Sequence, residues 1–138
     1  MEQSWRQCSS KMTPNEKMYQ GYLQAWLDKA DYNAYHYLIE SGEDCAIWLK
    51  TQIQSFKTPS QKIKLIEVLK EFRFVEIQNL LLTECLDADP KIWKAALEGL
   101  AYQGLKNLRD ILLTLKKTPD ISGNTEKTSR IEDILMTT

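Results

Sequence analysis

Residues 89–100 read Asp89-Pro90-Lys91-Ile92-Trp93-Lys94-Ala95-Ala96-Leu97-Glu98-Gly99-Leu100, and this stretch decides the fold. The Asp89 side chain is an acceptor for the free N–H groups of a first helical turn. Pro90 has its φ already set for that turn and no N–H to leave unpaired. Trp93, Ala96, Leu97 and Leu100 then recur at the three- and four-residue spacing that lines one face of a helix. Gly104 ends the run, as the residue type that turns a chain out of a helix at least cost. A partner helix over about 106–117 carries Leu108, Ile111, Leu112 and Leu115 on one stripe.

Working backward, the same grammar recurs 31 residues earlier. Pro59 matches Pro90, Glu67 matches Glu98, Leu69 matches Leu100, and Leu81-Leu82-Thr83 matches Leu112-Leu113-Thr114. Ile66, Phe74, Ile77 and Leu80 stand where Leu97, Leu105, Leu108 and Ile111 stand later. Thr58-Pro59-Ser60-Gln61 is the cap, Arg73-Phe74 the corner, and a second apolar helix covers about 75–86. One step further back, Leu38, Ala46 and Leu49 precede the same positions, and Gly42 holds the corner that Gly104 holds two units later. This unit comprises a short helix over about 32–41, with Tyr35, Leu38 and Ile39 inward, and another over about 44–56 along Ala46, Leu49 and Ile53. Thr13-Pro14-Asn15-Glu16 opens an N-terminal helix carrying Met18, Tyr19, Tyr22, Leu23, Trp26 and Leu27, ending near Lys29.

The expectation is an all-α chain: a short right-handed α-solenoid of about three helix pairs, over 28–56, 58–86 and 89–117, behind an N-terminal capping helix. A single helix pair cannot bury its own apolar stripe, but stacked pairs share a continuous core. Residues 1–117 form the domain. Residues 118–128 are polar and read as loop, and Ser129-Arg130-Ile131-Glu132 starts a short last helix to about Met136. No alternating segment bounded by turn residues argues for a strand.

The third unit resembles a HEAT-type repeat, through the Asp89-Pro90 start, the Ala95-Ala96-Leu97 run and Gly104. The resemblance is good over 89–117, moderate over 58–86 and poor before 57; unit two lacks the Asp, the Ala pair and the Gly, and the period of 31 is short for that class. It implies a solenoid whose second helices line a concave binding surface, and it implies no catalytic activity.

Composition narrows the function. The chain has 138 residues, 43% hydrophobic, with 18 Lys+Arg against 19 Asp+Glu. The balance is also local: 6 against 7 over residues 1–57, 10 against 8 over 58–117, and 2 against 4 over 118–138. Nucleic-acid binders carry a strong basic excess, so nucleic acid is disfavoured as a ligand in every segment. Lys106, Arg109, Lys116 and Lys117 make the most basic spot, but Asp110 sits within it. Lys62, Lys64 and Lys70 are interleaved with Glu67 and Glu71, the pattern of a solvated helix face. No apolar run approaches the roughly 20 residues that span a bilayer, and the Met1–Cys8 stretch has no apolar leader core. A cytoplasmic location without a membrane is expected.

Catalytic and metal chemistry find no foothold. Cys8, Cys45 and Cys85 are widely spaced, without a CxxC pair for zinc, and Cys45 and Cys85 read as buried thiols. His36 is the single histidine and pairs on paper with Glu40 one turn on. Glu43-Asp44 reads as a helix cap and Asp87 with Asp89 as a turn bracket. HExxH, GxSxG, P-loop and GxGxxG signatures are absent. No enzyme, cofactor or metal is expected.

What remains is a surface for another protein. Equivalent positions on the second helices form ladders: Trp48, Asn79 and Asp110; Gln52, Thr83 and Thr114; Thr51, Leu82 and Leu113. With Arg109 they define the expected protein-binding face, and Trp48 is its sharpest residue because Trp is enriched among interface hot spots. Trp26 and Trp93 read as core. The most specific expectation is a bacterial immunity protein that covers a toxin domain. The alternative is a HEAT-like adaptor or assembly factor in a larger complex, and a nucleic-acid-processing HEAT-like enzyme is the least favoured.

Overall fold

The computed structural model describes residues 12–56 and 58–137. In chain order the helices are α1 (Pro14–Lys29), α2 (Tyr32–Glu40), α3 (Glu43–Gln52, continued by a 3-10 turn Ile53–Ser55), α4 (Pro59–Leu69), α5 (Val75–Glu84), α6 (Pro90–Tyr102), α7 (Leu108–Lys116), α8 (Pro119–Ser122) and α9 (Thr125–Thr137). The fold is all-α; among the described residues there is no strand.

The cap-plus-proline starts close as their chemistry requires. The Thr13 hydroxyl accepts from the Glu16 N–H at 3.1 Å, and Glu16 Oε1 accepts from the Thr13 N–H at 3.1 Å, a reciprocal capping box. Thr58 Oγ1 accepts from the Gln61 N–H at 3.4 Å. Asp89 Oδ1 accepts from the Lys91 N–H at 2.9 Å, while Asp87 Oδ1 holds the Asp89 N–H at 2.8 Å. The two glycine corners also match: Gly42 has φ 84° and Gly104 φ 62°, left-handed conformations that carry little penalty without a Cβ. Gly42 serves both as the exit from α2 and as the N-cap of α3. Glu43 and Asp44 therefore lie in the first turn of α3 rather than capping it, and Asp44 Oδ2 accepts from the Tyr19 hydroxyl at 3.1 Å.

Packing is densest around α6. α4 and α5 both lie along it, and Trp93, Ala96, Leu97 and Leu100 are sealed in the core. Gly99 makes this approach possible: a Cβ there would stand 3.4 Å from Lys70 Cβ and 3.5 Å from a Leu81 methyl. α2 packs on α4, α4 on α6, and α3 on α5. α1 covers the other end, against α2, α3 and α4.

Polar side chains bolt these layers together. Gln103, buried, donates from Nε2 to the carbonyls of Lys70 (3.1 Å) and Phe72 (2.7 Å), closing the corner after α4. Trp26 Nε1 donates to the Lys64 carbonyl at 2.9 Å, and Lys64 Nζ returns to the Trp26 carbonyl at 3.3 Å while standing 4.7 Å over the indole. The Glu71 carboxylate accepts from the Tyr35 hydroxyl at 2.7 Å and from the Tyr102 hydroxyl at 2.9 Å, so one carboxylate joins α2, the end of α4 and α6.

The tail corrects the sequence reading. Residues 118–128 are not a loop: they contain α8 and the first turn of α9, with Ile121 and Lys127 buried. Lys127 is 3% exposed. Its Nζ donates to the carbonyls of Cys85 and Asp87, both at 2.9 Å, and lies 5.5 Å from the centre of the Trp93 ring. The ammonium thus meets the negative end of α5, where backbone carbonyls lack intrahelical partners. Lys94–Glu126 (2.9 Å) and Lys116–Glu132 (3.0 Å) add ion pairs on either side. Polar composition masked this segment because its anchor is itself a charged residue.

Candidate protein-binding groove

The second helices do not meet one another evenly. α3 and α5 pack directly, whereas α7 is carried by α8 and α9, and an open groove of about 420 Å³ separates it from α5. The α5 wall is Leu82, Thr83 and Leu86; the α7 wall is Asp110, Ile111, Thr114 and Leu115, with Thr118 at the far end. Four predicted positions, Leu82, Thr83, Asp110 and Thr114, therefore line one concavity.

The groove is more apolar than its residue names imply. Thr83 Oγ1 donates to the Asn79 carbonyl at 3.0 Å and Thr118 Oγ1 to the Leu115 carbonyl at 2.7 Å. Both hydroxyls thereby direct their hydrogen to a carbonyl of their own segment. Asp110 is the one charged residue among the lining residues, in the first turn of α7. Two of the basic residues flanking Asp110 in sequence are engaged elsewhere: Lys116 pairs with Glu132, and Arg109 Nη1 donates to the Leu135 carbonyl at 3.5 Å.

The remaining predicted positions fall elsewhere. Trp48 is 8% exposed, with its ring 5.9 Å from that of Tyr19. It is a core residue between α1 and α3, not a surface anchor, because α1 covers the flank that the repeat pattern leaves open. Thr51 is exposed and donates to the Trp48 carbonyl at 2.6 Å, and half-buried Gln52 donates to Thr51 Oγ1 at 3.1 Å. Asn79 is exposed outside the groove. Arg109 lines clefts against α9 instead, and Leu113, 37% exposed, lies outside the groove.

Leu86, Ile111, Leu115 and Thr118 were not foreseen as site residues. Ile111 and Leu115 were assigned inward, which is correct for a closed junction. Leu86 had a readable signal: it lies four residues after Leu82, an apolar pair off the inward stripe of α5.

The titratable groups nearby are structural. Burial pushes the Cys45 and Cys85 thiols up to about 12, so both stay protonated and inert at neutral pH. Glu84 is buried at the end of α5; burial raises its carboxyl above the usual range, while Lys62, 4.0 Å away, pulls the other way. His36 stands edge-on to Tyr35 at 5.7 Å rather than pairing with Glu40. Cys8 lies outside the described residues. Among the described residues no helix is long and apolar enough to cross a membrane.

Compared with protein-family models, curated proteins and solved structures, the chain has no match.

Proposed function

We propose that this chain is a protein-binding module, a short α-solenoid whose docking face is the second-helix side between α5 and α7. In its most specific form it is a cytoplasmic immunity protein that neutralises a bacterial toxin domain by occlusion. The observation that carries the reading is the groove itself. Four of the nine ladder positions, Leu82, Thr83, Asp110 and Thr114, line one open apolar concavity with a single carboxylate. An apolar centre with a polar margin is the anatomy of protein interfaces, and their binding energy concentrates where a side chain is desolvated in a pocket. Repeat architecture supports the same reading, since stacked units present equivalent positions along one side. Surface charge would steer the encounter, with apolar burial supplying most of the affinity.

The test is co-expression with the toxin encoded beside the gene. Rescue of growth and a purified complex are expected, and Asp110→Lys should abolish both with an unchanged circular dichroism spectrum. No rescue and no complex with the unaltered chain would overturn the immunity reading.

A further inference from the structure

Resting on the protein-binding reading above, we propose that the groove between α5 and α7 receives an amphipathic α-helix of the partner that carries a basic residue opposite Asp110.

Leu82, Leu86, Ile111 and Leu115 are apolar, and Thr83 and Thr118 already donate their hydroxyl hydrogens to the Asn79 and Leu115 carbonyls. A backbone entering this groove finds few donors or acceptors. An extended segment would bury unpaired N–H and C=O groups there, at a cost comparable to lost hydrogen bonds. Among the described residues there is no strand edge for it to join. A helix satisfies its own backbone and presents only side chains. The α7 wall from Asp110 to Leu115 rises about 7.5 Å at 1.5 Å per residue, and Thr118 lies just past the helix end. That gives room for apolar side chains at i, i+3 and i+4 of a helix laid along it. The chain already uses this solution one unit earlier, where α3 packs along α5.

The argument for a basic residue is charge complementarity. Asp110 is the one charged residue lining the groove, and Arg109 and Lys116 are engaged with α9. An incoming Lys or Arg gains a partner at the groove margin. An incoming carboxylate, including that of a fatty acid with its chain in the groove, meets like charge.

Two synthetic 18-residue helical peptides test this, with the same leucine face and either lysines or glutamates on the polar face. Binding is read from the methyl NMR signals of Leu82, Leu86, Ile111 and Leu115. The Leu/Lys peptide should shift these methyls and bind at least tenfold more tightly than the Leu/Glu peptide. Asp110→Lys should reverse the preference. Leu86→Glu should abolish binding while the protein stays folded, because Leu86 is already 41% exposed. Equal affinity for the two peptides, or shifts confined to other methyls, overturns the proposal. So does a concentration-dependent shift of the same methyls without peptide, which would assign the groove to a second copy. A co-expressed partner that moves these methyls when neither peptide does would overturn the helical occupant and leave the protein-binding reading standing. A partner that leaves them unmoved would overturn the docking face itself.

Discussion

Two junctions built from equivalent positions have opposite outcomes. Between α3 and α5 the second helices close on one another; between α5 and α7 they stand apart over a groove. Leu80 and Ile111 occupy the same place in their units, yet Leu80 is buried and Ile111 is half-exposed. The difference lies in what each helix leans on. α3 is backed by α1, with Trp48 and Tyr19 filling the gap. α7 is held from its other side by α8 and α9, and that tail is pinned to the end of α5 by Lys127. Elements flanking each helix pair decide whether it closes or stands open.

This comparison is open to direct attack. The largest effects are expected at the closed junction. Leu80→Ala should destabilise by about 2–5 kcal/mol and Trp48→Ala by about 3–5 kcal/mol in urea unfolding, as buried large-to-small changes do. Ile111→Ala, facing a cavity that is already open, should cost only about 1 kcal/mol, near the transfer term alone. Equal losses at Leu80 and Ile111 would show that the junctions do not differ in packing. Between these extremes, Lys127→Met should cost about 2–3 kcal/mol, since it strips the buried carbonyls of Cys85 and Asp87 of a charged donor. Its signature is faster amide hydrogen exchange over 125–137, with α4 and α6 still protected.

A smaller, signed effect tests Glu84. Its carboxyl titrates above the ordinary range in the folded chain, mainly through burial. Between the ordinary and the raised value the folded state therefore holds more protons than the unfolded state. Stability should fall as pH rises through that window. Glu84→Gln should remove the slope and raise stability at neutral pH, measured by thermal unfolding across pH. A small effect on stability is expected at Asp110→Lys, about 0.5–1 kcal/mol because the charge is reversed in the first turn of α7, although the same change should eliminate partner binding. A large loss of stability there would mean that Asp110 is structural.

Much of the fold was legible because helix starts are local chemistry. Thr13-Pro14, Thr58-Pro59 and Asp89-Pro90 announce α1, α4 and α6, and all three helices begin at the proline. Gly42 and Gly104 were legible for the same reason, since a left-handed corner asks for glycine whatever surrounds it. The site was half legible. The 31-residue spacing picked out Leu82, Thr83, Asp110 and Thr114 but placed Trp48 on the surface, because periodicity along α3 holds no information about α1 lying across it. The tail was illegible for a related reason. Apolar pattern is the usual sign of a docked helix, whereas α9 docks through Lys127 as well as Ile131, and a lysine reads as solvent until its acceptors are seen.

What could be read from residue order was therefore the all-α class and the helix starts and corners. These rest on contacts within a few residues of one another. Which flank of α3 is covered, why α7 stands away from α5 and where Lys127 finds its carbonyls were decided only in three dimensions. They depend on groups about 30 to 40 residues apart, brought together by packing that no local pattern encodes.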